Sequence, residues 1–279
     1  MNMLKPAPYA MPIEKAMFYV GWAFTAIVLL FLIAPILAVM PLSFNAEPYF
    51  SYPMPGLSLQ WYRDFFGNER WWGALVLSVK LAVTVTILST MLGTMAALGL
   101  ARTHLPLRPI ILGTLLLPII VPVIIVAVAT YMFYGRFGLI GTFTGLVLAH
   151  TALATPFVVI TVTSTLTSFN WDLQRSAQSL GASPIYSFRR VILPLILPGV
   201  VTGGLFAFVI SFDEVVVALF LASAEQRTLP KQMFSGIREM ISPTITAAAS
   251  LQVVFSVFLF IGVELLRRRN ERLRGISRS

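Results

Sequence analysis

The sequence predicts an all-α membrane protein with six transmembrane helices and both termini in the cytoplasm. Three observations predict it. The 279 residues are 57% hydrophobic and 11% charged, with a mean hydropathy of +0.85. A soluble domain cannot bury that much apolar surface. Six apolar runs reach or exceed the roughly 20 residues that a helix needs to cross the hydrocarbon core. Lysine and arginine gather in alternate connections, which sets orientation by the positive-inside rule. The net charge of +9 is therefore distributed by topology and does not point to nucleic acid.

Other classes are excluded by what the chain lacks. It has no cysteine, hence no disulfide or thiolate ligand. Its two histidines, His104 and His150, are far apart and have no metal-ligand spacing. No Gly-x4-Gly-Lys-Ser/Thr phosphate loop occurs, so this chain does not bind ATP that way. No His/Asp/Ser constellation suggests a membrane enzyme, and no catalytic residue is assigned.

Residues 1–16 read as a short, weakly basic cytoplasmic lead. Residues 17–266 form the six-helix membrane domain, with a cytoplasmic loop at 169–194. Residues 267–279 are a basic cytoplasmic tail. The first span, 18–40, is too long for a signal peptide and no small-x-small cleavage site follows it, so it reads as a retained anchor. Pro35 bends it. The stretch 41–70 is polar and Pro-rich. Trp61, Tyr62, Trp71 and Trp72 near its end mark the outer interface.

The second span, 71–100, carries Lys80 about 12 Å inside it, at roughly 1.5 Å per residue. Lys80 either snorkels to the surface or partners a buried acid. The loop 101–108 holds Arg102, His104 and Arg108 and is cytoplasmic. The third span, 109–134, has Pro118 and Pro122 in its first half. These prolines free backbone carbonyls and bend the axis. Residues 135–138 make a tight outer turn. The fourth span, 139–166, contains His150, a packing histidine or a site residue. The fifth, 195–221, contains Gly203 and Gly204, which allow close helix approach. An outer loop, 222–243, precedes the sixth span, 245–266.

The most informative polar stretch is the central loop. A helix is expected over 171–180, since Asn170 and Asp172 suit its start. Gly181 then supplies a break where φ > 0 or close backbone approach is allowed. Ser183 and Pro184 read as the cap and first turn of a second helix. Two short helices at an angle make a cytoplasmic knob. The second polar feature is Asp213 and Glu214 inside the fifth span. An acid at mid-span costs about 2.5–3.5 kcal/mol on insertion scales. On one helix the two point about 100° apart, so they do not share a partner. At least one faces a polar cavity or a basic group such as Lys80, or the helix breaks early toward the outer loop. The functional alternative is that one lines the path of a cationic substrate.

The central loop resembles the signature of ABC importer permeases: Glu-Ala-Ala, three residues, Gly, nine residues, Ile, one residue, Leu-Pro. Arg175, Ser176, Ala177, Gly181, Val191, Leu193 and Pro194 occupy those positions. Arg175 stands where the family has Glu, and Ser176 where it has Ala. The run SFDEVVVALFLA, with the Leu-Pro and Ser-Pro that follow, is similar to the second permease of spermidine/putrescine importers.

The resemblance implies a type I importer permease in the bacterial inner membrane. It implies two partner subunits that bind ATP and Mg, a homologous second permease that is more readily a paralogue than a copy, and an external substrate-binding protein. It places the ATPase-coupling surface at Arg175, Ser176, Ala177, Leu180, Gly181, Ala182, Ser183, Pro184, Tyr186, Leu193 and Pro194. Similar permeases serve opines, phosphonates and other small organic ions. A secondary transporter or channel is the competing class, but it has no use for such a knob.

Overall fold

The computed structural model describes residues 11–101, 107–239 and 242–273. His104 and the end of the basic tail lie outside them. The described chain is helical throughout apart from turns and one isolated bridge between Asn45 and Leu57.

α1 (Pro12–Leu42) is apolar on every side and buries no residue. α2 (Gln60–Gly67) is a short amphipathic helix that sinks Phe65 into the protein. Asn68 caps α3 (Glu69–Leu100) by accepting from Arg70 N. The third span is two helices, α4 (Arg108–Ile120) and α5 (Val123–Gly135), bent by 101°. This exceeds the bend expected of one helix. Val121 is extended, and Pro122 has no N–H with which to continue the ladder.

Gly138 and Gly141, both at positive φ, turn the chain into α6 (Phe143–Thr167). α7 (Asp172–Ser179) and α8 (Pro184–Ser187) form the central loop. α8 runs through a π-helical turn at Phe188–Ile192 into α9 (Leu193–Asp213). The fifth span therefore starts at Pro184, earlier than expected, and its helix ends at Asp213 rather than near 221. α10 (Val216–Leu221) follows after a break. The expected outer loop contains α11 (Leu229–Glu239), and α12 (Pro243–Leu273) closes the fold.

α3, α6 and α9 are the mutually packed centre. Their contacts fix direction. Lys80 lies over the Phe143 ring, Ser89 Oγ reaches Thr151 O, and Gly93 abuts Val158. Both numbers rise together, so α3 and α6 are parallel. Ser211 meets His150, and Gly199 meets Thr165, so α9 is antiparallel to them. The α4–α5 pair leaves the end of α3 and must deliver the chain to the start of α6, at the opposite end of the bundle. It is a broken crossing, not a re-entrant loop. With α1, α3, α6, α9 and α12, it makes six crossings.

The core depends on glycine. A Cβ on Gly203 would sit 2.5 Å from Thr161 Oγ1 and 3.0 Å from Val158 Cα. One on Gly204 would meet Thr90 Oγ1 at 2.9 Å. Neighbouring glycines thus admit α6 on one side and α3 on the other. A second apolar cluster, built on Phe65, Trp71, Phe212 and Ile245, ties α2, α3, α9 and α12 together at the outer end.

Candidate functional site: the helical knob and the broken fifth span

The knob forms as its residues dictate. Asn170 Oδ1 accepts from Asp172 N at the start of α7. At the other end Gly181 has φ +86, open to glycine but strained for other residues. Ala182 N donates to Ala177 O at 3.0 Å, and Gly181 N to Gln178 O at 2.9 Å. These two bonds are the Schellman closure of a helix C-terminus. Ser183 Oγ then accepts from Tyr186 N at 3.3 Å, and Pro184 opens α8. The expected bend at 181–184 is present in each part.

The knob presents an apolar tip. Leu180 is 90% exposed, and Ile185 and Tyr186 are exposed beside it. Ala177, Leu180, Gly181, Ala182, Ser183 and Tyr186 line one shallow concavity of about 540 Å³. Ser176 and Pro184 are exposed on the same unit, while Leu193 and Pro194 lie where α9 enters the bundle. Arg175 pairs with Asp172 at 3.3 Å, with both side chains mostly exposed. Such a pair contributes ~0–1 kcal/mol. The π turn behind the knob buries Ile192 and holds Phe188 and Trp171 against the main core. The knob is thus continuous with α9.

The acids lie at the other end of α9. Asp213 is its last residue, and Glu214 is extended, with φ -73 and ψ 117. Glu214 Oε1 accepts from Val217 N at 2.9 Å and so caps α10. The two acids are not neighbours on one helix, and the 100° geometry does not apply. The alternative of an early break is what the structure adopts. Asp213 is exposed, and its Oδ1 accepts from Gln252 Nε2 of α12 at 2.5 Å. Lys80 is not brought to either acid. Its Nζ lies 4.9 Å from the Phe143 ring centroid, a cation–π contact.

Gln252 was not apparent from the sequence as a partner of Asp213. The two are 39 positions apart, with a loop and α11 between them, and a glutamine in an apolar run carries no periodic signal. The far end of α10 is closed as well. Lys231 Nζ donates to Ala222 O at 2.8 Å and Ser223 O at 3.0 Å, and Gly141 N donates to Leu221 O at 2.8 Å. A cation at a helix C-terminus complements the exposed carbonyls. Burial, and then the charge of nearby Arg227, lower the Lys231 pKa below the ordinary lysine value.

Residues 89–272 match the family described as binding-protein-dependent transport system inner membrane component. The chain belongs to this family. It is a multi-pass permease of the type I ABC class, resident in the inner membrane and not itself an enzyme. The spermidine/putrescine transport system permease protein PotC of Haemophilus influenzae is 32% identical over 253 residues, covering 91% of this chain and 98% of that protein. The putrescine transport system permease protein PotI of Escherichia coli K12 is 28% identical over 262 residues, covering 89% and 92%. Among solved structures, a bacterial ABC transporter that imports the acidic polysaccharide alginate aligns with a TM-score of 0.73 and 14% identity. That alignment covers 92% of this chain and 99% of that one. It shares the fold; its cargo is a different matter.

Proposed function

We infer that this permease forms half of the membrane pathway of an ATP-driven importer for polyamines such as putrescine and spermidine. The observation that carries the substrate class is the near full-length similarity to spermidine/putrescine permeases. The exposed carboxylate of Asp213 in the outer half of the bundle agrees with a cationic cargo. In this reading a second, homologous permease completes the pathway. A substrate-binding protein delivers the cargo outside, and two partner subunits bind ATP and Mg and hydrolyse ATP inside. The cytoplasmic lead (1–16) and basic tail (267–279) of this reading lie partly outside the described residues.

The knob is the coupling element. Leu180, Ile185 and Tyr186 seat in a groove of one ATPase subunit, around the bend from Ala177 to Pro184. Arg175 and Ser176 lie on the flank of that contact. Closure of the ATPase pair displaces the knob, and α8, the π turn and α9 transmit the displacement as one continuous helix. The cavity then switches between inward-facing and outward-facing states. This is a two-state mechanical coupling, with no chemistry in this chain. At the outer end Asp213 lines the path. Glu214 acts by capping α10 and so fixes the break that presents Asp213.

Uptake of labelled putrescine and spermidine by membranes holding the complete set of subunits tests this. Leu180→Asp is the decisive variant, because so exposed a residue can change without disturbing folding. It should insert at the normal level, lose most ATPase co-purification and abolish uptake. Normal co-purification with normal uptake would overturn the coupling role. Uptake of neither polyamine by the assembled wild-type complex would overturn the substrate assignment.

A further inference from the structure

The break in the third span, at Val121 and Pro122, leaves backbone groups open inside the membrane domain. α4 and α5 have 13 residues each. Each is therefore about 20 Å long, and neither alone crosses the roughly 30 Å hydrocarbon core. The break thus lies near mid-span. Pro122 has no N–H, so the oxygen of Pro118 loses its helical donor. Ile125 N and Val126 N, at 2.9 and 3.3 Å, both go to Pro122 O. Among the described residues, no hydrogen bond reaches the carbonyl oxygens of Pro118, Ile119, Ile120 or Val121, and the N–H groups of Val123 and Ile124 are open too. The carbonyls of Pro118, Ile119 and Ile120 point forward along α4 and the open N–H groups backward along α5. The 101° bend separates the two directions.

Elsewhere this chain closes helix ends with side chains, as Ser183, Glu214 and Lys231 do. Here it has none to offer: from 115 to 129 no side chain carries a polar atom. Ile119, Ile120 and Pro122 are exposed, so the open turn lies at the surface of this subunit. Lipid cannot cover it, because non-helical backbone at this depth is sustained only inside protein or beside water. A partner helix has its own N–H groups bonded within it, and would have to bring several donor side chains to one turn. Water in the translocation path meets the need directly.

A solute passing this level meets acceptors at the negative end of a helix, framed by aliphatic side chains. Such half-helix ends and unwound carbonyls suit cations. An anion is repelled, and a hydrated metal ion gains nothing from aliphatic walls. A primary alkylammonium fits on both counts: its three N–H groups donate to carbonyls, and its methylenes suit the isoleucines around them. We propose that the open carbonyls of Pro118, Ile119, Ile120 and Val121 line the translocation path and form a relay site for the ammonium groups of the cargo. The proposal rests on the polyamine reading above and adds to it a station built from backbone alone.

The absence of native cysteine makes the test direct. Ile120 is 70% exposed, so Ile120→Cys places the chain's single thiol beside the open carbonyls, with Ile119→Cys as a second reporter. Phe31→Cys, 77% exposed on the continuous helix α1, is the comparison. In the assembled transporter in proteoliposomes, reaction with a charged methanethiosulfonate reagent on both faces is followed. The thiols at the break should react and the one on α1 should not. Putrescine should slow the reaction saturably, about tenfold at roughly ten times the concentration that halves it. 1,4-Butanediol, of the same length but uncharged, should not slow it. Adding Pro122→Ala, which restores an N–H to the turn, should remove most of the protection.

No reaction of either thiol at the break would overturn the proposal, because the turn would then be dry. No protection by putrescine, equal protection by the diol or by potassium ions, or full protection in Pro122→Ala would overturn it too. The diol comparison decides alone where Pro122→Ala does not assemble. Uptake measured on the same preparations separates the two levels. Putrescine uptake without protection removes the site and leaves the substrate assignment standing. Absence of polyamine uptake in the cysteine-free parent removes both.

Discussion

At the residue scale, one buried pair of polar side chains spans two helices of the bundle. His150 is 1% exposed, and its Nδ1 lies 3.1 Å from Ser211 Oγ. The pair joins α6 to the last turn of α9, two residues before the break at Asp213. Deleting one member of a buried pair strands the other, at about 1–3 kcal/mol, whereas deleting both leaves no stranded group. His150→Leu and Ser211→Ala should each lower the melting temperature of the purified complex. The double variant should lose clearly less than the sum of the two. Additive losses would mean that the hydrogen bond contributes nothing. The sequence allowed a packing histidine here but could not name its partner, because Ser211 is 61 residues away and one of many serines. The same limit hid Gln252 behind Asp213. By contrast, Asn170, Gly181, Ser183 and Pro184 were legible, because capping and positive φ are local properties of neighbouring residues.

At the element scale, the spans were visible as apolar runs, but their breaks were visible only where proline marks them. Pro118 and Pro122 announced a bend, and the break comes at Val121 and Pro122. No glycine or proline announces the end of α9. There Glu214 turns extended and its side chain replaces the lost backbone acceptor for Val217 N. A long-range packing decision is hidden in a run that reads as one helix. α2 and α11 went unread for a related reason. They are short amphipathic helices in polar connections, and their apolar residues are too few for a spanning signal. The glycines, however, were readable as sites of close approach, and the contacts give them a magnitude. Gly203→Ala puts a methyl group 3.0 Å from the Val158 backbone and within reach of Thr161 Oγ1, so α6 and α9 must separate. Overpacking of this kind costs about 1–3 kcal/mol. Gly21→Ala, with nothing within 4 Å of the new methyl, is the matched control and should be neutral. The yield of folded, monodisperse complex and its melting temperature measure both. Equal behaviour of the two variants would refute the packing account.

At the scale of the whole molecule, helix directions and charge must give one consistent topology. α3 and α6 are parallel, so the broken α4–α5 pair crosses the membrane despite its 101° bend. Tyr52 OH donates to Ala38 O, and Tyr62 OH meets Ser43 Oγ, so the end of α1 sits with the α2 segment at the start of α3. α12 runs antiparallel to α9, since Gln252 meets Asp213 while Phe255 meets Phe208. Six crossings then bring both ends of the membrane domain to the side of the knob. The arginine bias puts that side in the cytoplasm: Arg108, Arg175, Arg189 and Arg190 all lie there. The cysteine-free chain allows each face to be interrogated by one thiol. Phe137→Cys, exposed in the turn after α5, should react with a membrane-impermeant thiol reagent in spheroplasts, where the outer face of the inner membrane is open. Leu180→Cys, at the tip of the knob, should react only after the inner membrane is permeabilised. If the α4–α5 pair instead returned to the side it left, Phe137→Cys would be protected in intact spheroplasts. In that case α6 would run outward and Leu180→Cys would react at once. Because the two thiols exchange behaviour between the crossing and the returning arrangement, one pair of labelling experiments decides the path of the broken span and the side of the membrane on which the knob lies.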